Sequence, residues 1–98
     1  MKWFVYILFC DKKTLYVGMT DNLERRLFEH THKQSQYTKK FSEITLAYSE
    51  KQKNRQSALR RESQLKGWSI AKKNALISGD KELLIKLSKS TKAVEDED

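Results

Sequence analysis

Seven consecutive apolar residues, Trp3-Phe4-Val5-Tyr6-Ile7-Leu8-Phe9, run into Cys10 and stop at the polar triplet Asp11-Lys12-Lys13. A run this rich in aromatic and β-branched side chains suits a buried strand. The triplet reads as a tight turn. Thr14 to Thr20 is strand-like again, so the two runs should pair as an antiparallel hairpin. The first run is too short to cross a bilayer, and charges end it. It lacks a small-residue cleavage site and is not read as a signal peptide. Cys10 is the only cysteine, which excludes an intrachain disulfide and a cysteine-based zinc site. A reducing, cytoplasmic setting with no membrane association is the default expectation.

Beyond the hairpin, Asp21 or Asn22 caps a helix running to about His30 or Thr31. Residues 32–42 read as a polar loop, and Ile44 to Ser49 as a third strand. A second helix opens at Asn54 or Ser57 and ends near Lys66-Gly67. Ser69 caps a third helix through Ile77, Ser78-Gly79 breaks the chain, and Asp80 caps a last helix to about Lys89. The order β-β-α-β-α-α-α predicts an α+β fold, a three-stranded, mainly antiparallel sheet flanked by helices. The expected organisation is one domain over 1–89 and a disordered acidic tail over 90–98. A chain of 98 residues builds a thin core, so its site should lie open on one face.

The 20 Lys and Arg outnumber 13 Asp and Glu, and four of those acids are the terminal Glu95-Asp96-Glu97-Asp98. Without them the body carries 20 bases against nine acids, a net +11, which favours a polyanion through counterion release. Residues 51–73 hold eight bases and one acid, Glu62. Such a run is usually a solvated face. Lys39, Lys40, Arg60, Arg61, Lys66 and Lys72 are the candidate phosphate contacts, tracking a backbone without reading bases. Trp68 is either a stacking platform or core.

Helical periodicity separates these charges. With Ala58 at zero, Leu65 falls at about −20°, Glu62 at about +40° and Leu59 at about +100°. Glu62 therefore stands within an apolar stripe, where a carboxylate needs a cation or several donors. A divalent metal meets that need, and so does a structural ion pair with an arginine of the first helix. On the first helix, with Leu23 at zero, Arg26 falls at about −60°, His30 at about −20° and Arg25 at about 200°. Arg26 and His30 border the apolar face and Arg25 points to solvent. Arg26 is either functional or a snorkelling side chain. His30 is either a proton-transfer group or a helix-end histidine. Tyr6 and Tyr16 on adjacent strands could simply pack. Gly18 either admits a close approach or kinks its strand.

Together, Val5-Tyr6-Ile7 and Tyr16-Val17-Gly18, with nine residues between the two tyrosines, resemble the paired tripeptides of the GIY-YIG nuclease family. Leu23-Glu24-Arg25-Arg26-Leu27-Phe28-Glu29-His30 is similar to that family's first helix. Ala58-Leu59-Arg60-Arg61-Glu62 is similar to the helix bearing its metal-binding glutamate. Asn74 lies where some members keep an asparagine. The likeness spans about residues 3–77 and is nearest in style to the minimal single-domain bacterial branch. Phe4-Val5 stand in place of the first Gly-Ile. Met19 follows Gly18 where some repair members have a lysine.

The resemblance implies a DNA endonuclease acting in repair or processing, with Glu62 as the protein ligand of Mg²⁺ or Mn²⁺. Arg26 would then stabilise the pentacovalent phosphate. Tyr16 would orient or deprotonate the water, Tyr6 would support it, and His30 would assist proton transfer, with Gly18 and Asn74 in supporting places. The expected partner is DNA, whether branched, nicked or single-stranded, with a partner protein or a homodimer adding specificity. One alternative is a non-catalytic nucleic-acid-binding module. Another is an interaction module whose acidic tail and basic body associate.

Overall fold

In the computed structural model the hairpin turns through Asp11 and Lys12, which both take the left-handed conformation (φ 51° and 59°). Two successive left-handed residues match the twist of the flanking strands. Asp11 also ties the turn to the rest of the sheet. Its carboxylate accepts from the backbone N–H of Ser42 at 2.9 Å and of Glu43 at 2.8 Å. The structure describes residues 2–32 and 40–96, the stretch 89–96 by its backbone alone.

Strands β1 (Trp3–Cys10) and β2 (Thr14–Thr20) precede helix α1 (Leu23–Thr31). β3 (Ile44–Gln52) and α2 (Arg55–Lys66) follow, then α3 (Ile70–Ser78) and α4 (Lys81–Asp96). The sheet order is β2-β1-β3, antiparallel throughout, with β1 in the centre. This is the expected α+β architecture. The β1–β3 register shifts between Ile7 and Leu8, where Tyr48 and Leu46 are the respective partners.

The polar end of β3 extends three residues past the expected Ser49. Glu50, Lys51 and Gln52 pair with Val5, Phe4 and Trp3, covering the edge of β1 that β2 does not reach. The helix caps fall as the sequence predicts. Asn22 accepts from Arg25 N–H, Asn54 from Ser57 N–H, Ser69 from Lys72 N–H and Asp80 from Leu83 N–H. α4 continues to Asp96, past Lys89, because no glycine or proline stops it. No helix of the described residues is long and apolar enough to cross a membrane.

The chain divides into two compact units, residues 1–66 and 67–98. In the first, alternation along β1 gives the sheet two apolar faces. Tyr6, Leu8 and Cys10 pack with Tyr16, Leu23, Leu27, Phe41 and Ile44 on the α1 side. Val5, Ile7 and Val17 are buried on the other side, where Glu50 stands opposite Val5. In the second unit, α3 and α4 pack together across Gly79, whose φ of 75° ends α3.

Candidate active site

Tyr6 is fully buried in the middle of β1, directly opposite Gly18. Its hydroxyl lies 3.0 Å from Nε2 of His30, which is also buried, at the last turn of α1. The imidazole tautomer decides which of the two donates. Tyr16 is half-buried, and its ring meets His30 edge-on, with centroids 5.5 Å apart. The hairpin thus delivers two phenols to one histidine because Tyr6 and Tyr16 share a face of the sheet.

The electrostatics separate the two phenols. Burial pushes the Tyr6 hydroxyl up to about 12, and the neighbouring Tyr16 adds to the rise. The Arg26 guanidinium beside it pulls the value down, and the Glu62 carboxylate is near enough to push it up again. Burial, and then Arg26, hold the His30 imidazole below its ordinary range, against Glu29. Both members of the buried pair are therefore neutral near pH 7.

Arg26 and Glu62 are the charged members of the cluster. Arg26 projects from α1 with its side chain 36% exposed, and its Nε lies 3.0 Å from Oε1 of Glu29. Glu62 projects from α2, half-buried, with Lys66 Nζ 3.5 Å from Oε2. Tyr16, Arg26, His30 and Glu62, from β2, α1 and α2, thus all bear on the Tyr6 phenol of β1, His30 by contact and Glu62 most weakly, through its charge. Gly18 plays a more specific part than a strand kink, since it makes room for the Tyr6 ring.

The donor set fits one kind of metal. Among the described residues no three His, Cys, Asp or Glu side chains come together as a chelating cage. A single carboxylate suits Mg²⁺ or Mn²⁺, which keep several waters and take further oxygens from phosphate. It does not suit a structural zinc.

The candidate phosphate contacts have separate fates. Arg60 is exposed on α2 and Lys66 is more than half exposed. Lys40 is exposed, its Nζ 5.3 Å from the centre of the Phe41 ring. Lys39 lies outside the described residues. Lys72 belongs to the second unit, where its Nζ stands 4.2 Å from the half-buried Trp68 ring. Asn74 is an exposed residue of α3 in that unit.

Arg61 points inward. Its Nε donates to Glu50 Oε2 at 2.8 Å and its Nη2 to Oε1 at 3.3 Å. Tyr48 donates to the same carboxylate at 2.5 Å and Gln52 at 2.7 Å. The sequence reading missed this network. Its signal was an acid at the inward-facing parity of a strand. Glu29 was missed as well, although it lies three residues after Arg26 and four after Arg25, the spacing of helix neighbours.

Residues 2–74 match the family model described as the GIY-YIG catalytic domain. A UPF0213 protein of Syntrophus aciditrophicus is 41% identical over 83 residues, covering 83% of this chain and 95% of its own length. One from Natronomonas pharaonis is 36% identical over 78 residues, covering 79% and 92%. The solution NMR structure of a UPF0213 protein from Bacillus halodurans aligns with a TM-score of 0.53 at 32% identity, covering 80% of this chain and 84% of that one.

Proposed function

This chain belongs to the GIY-YIG catalytic-domain family, and from that premise we propose that it is a divalent-metal-dependent DNA endonuclease. The observation that carries the proposal is the gathering of Tyr16, Arg26 and Glu62 around the buried Tyr6–His30 pair. Phosphodiester hydrolysis needs an activated water and positive charge on the phosphate as its own charge grows.

Arg26 supplies that charge from α1. Tyr16 is the phenol with solvent access and orients the attacking water, whose proton is released to solvent as the leaving oxygen takes one up. Tyr6 stays protonated and, with His30, fixes the surface against which Tyr16 works. Glu62 would hold the metal, which when bound polarises the phosphate and lowers the pKa of a bound water. Arg60, Lys66 and Lys40 extend the positive surface along which a DNA backbone can run. One small domain offers little area for base readout, so DNA structure rather than sequence would select the substrate.

The test is cleavage of nicked, branched, single-stranded and plain duplex DNA by the purified chain in Mg²⁺, Mn²⁺ or EDTA. Cleavage that needs the metal and disappears in Glu62→Ala and in Arg26→Ala supports the proposal. Cleavage retained by either variant refutes it. A second reading, a binding module without catalysis, draws on the Lys66–Glu62 ion pair, which already gives the carboxylate a cation. It requires salt-sensitive DNA binding that is equal in Mg²⁺ and EDTA, with no product.

A further inference from the structure

Four charges form a chain of ion pairs that starts at Asp21, ahead of α1, and ends on that helix at Arg26. Arg25 Nη2 lies 3.4 Å from Asp21 Oδ1, and Arg25 Nε lies 3.8 Å from Glu29 Oε2. The other oxygen of Glu29 lies 3.0 Å from Arg26 Nε. That nitrogen is buried and has no hydrogen bond in line, so its contact with Glu29 is between charges. The Arg26 side chain is nonetheless 36% exposed. The exposure therefore belongs to the rest of the side chain, not to Nε.

We propose that Glu29 is a positioning residue for Arg26, holding the guanidinium by its Nε edge so that the Nη edge is presented to the scissile phosphate. The inference rests on the nuclease reading for the phosphate, but not for the hold itself. Glu29 is one-third exposed, and ion pairs so placed contribute little to stability. Their geometric effect is different. A guanidinium is a rigid fork, and fixing one edge fixes the direction of the other. Arg25 occupies the second Glu29 oxygen and stops the carboxylate from turning away. A carboxylate beside the phosphate path also repels DNA. Glu29 would therefore weaken binding slightly while raising the rate of the step, which is the mark of positioning rather than of attraction.

Two measurements decide it. The first needs no cleavage. The Arg26 Nε–H resonance, assigned by its loss in Arg26→Lys, should show less side-chain motion in ¹⁵N relaxation than that of Arg25, and Glu29→Gln should raise its mobility at an unchanged melting temperature. Equal mobility in parent and Glu29→Gln overturns the hold, whether or not the protein cleaves DNA. The second is kinetic. Glu29→Gln should lower kcat by between about tenfold and a hundredfold, with KM for DNA unchanged or lower. In the Arg26→Lys background, which lacks the fork, Glu29→Gln should have no further effect. An unchanged kcat, a rise in kcat, or additive losses in the double variant each overturn the proposal. A rise would identify Glu29 as a competitor of the phosphate for Arg26. If the parent cleaves no DNA, the nuclease reading has failed by itself, and the relaxation measurement still decides whether Glu29 holds Arg26.

Discussion

The Tyr6 ring lies across Gly18 so closely that a Cβ on the glycine would stand 2.5 Å from the phenol oxygen and 2.6 Å from Cζ. The two residues are cross-strand partners, so the first tripeptide's tyrosine and the second's glycine form one packing unit. Tyr6 has nowhere to retreat. It is fully buried, and its hydroxyl is tied to His30 at 3.0 Å. Gly18→Ala should therefore cost about 1–3 kcal/mol, as overpacking does. It should also disturb the phenol–imidazole contact. Urea unfolding at pH 7 measures the first effect. An alanine variant as stable as the parent would show that the ring can shift at no cost.

The two phenols should separate cleanly in mutagenesis. At about 12, Tyr6 remains protonated at any working pH. Tyr6→Phe removes one buried hydrogen bond and should cost about 1–3 kcal/mol of stability while leaving measurable cleavage. Tyr16→Phe should spare stability, being half-buried, and lower cleavage by about a hundredfold or more. Single-turnover cleavage with unfolding curves for both variants makes the comparison. The opposite ranking would exchange the roles of the two tyrosines.

The Glu50–Arg61 pair should matter to stability more than its surface neighbours do. The side chains are 19% and 24% exposed. Burial alone would raise the Glu50 carboxyl, but hydrogen bonds from Arg61, Tyr48 and Gln52 hold it below its ordinary range. A depressed carboxylate contributes stability that is present above its unfolded pKa and lost as pH falls through the folded value. Glu50→Gln should therefore cost about 2 kcal/mol at pH 7, and the deficit should shrink as pH falls below about 4.5. A constant deficit across that range would mean that packing, not charge, is what the substitution removes.

Local chemistry made most of the fold legible. The hairpin, every helix start and the break at Gly79 each follow from residues adjacent in sequence, because caps and turns are satisfied within a few positions. Helical angle separated Arg26 from Arg25: Arg26 lies beside Tyr6 as well as Glu29, while Arg25 pairs with Asp21 and Glu29. What periodicity could not supply was the partner of a charge. Arg61 reads as one base among eight, yet Glu50, eleven residues away on the neighbouring strand, takes its guanidinium. The end of β3 was illegible for the same reason. Glu50 and Gln52 look like loop residues until the backbone of β1 and the donors around them are known.

His30 should give the fold a pH dependence of the opposite chemical type but the same sign. Burial, and then Arg26, hold its imidazole below 6.5, so the native state keeps it neutral where the unfolded chain would protonate it. Between the depressed native value and about 6.5 the unfolded state binds more protons, and stability falls as pH drops through that window. Above it the contribution is fully present. His30→Gln keeps a polar partner for Tyr6 and removes the titration. Urea unfolding of both proteins at about pH 7.5 and 5.5 should show the parent losing stability that the glutamine variant does not lose, on the scale of about 1.4 kcal/mol per unit of displacement. Both proteins keep Glu50, so the difference between their profiles isolates the titration of His30. Parallel pH profiles for parent and variant would mean that His30 takes up its proton as readily in the fold as outside it. The neutral Tyr6–His30 pair at the centre of the site would then be wrong.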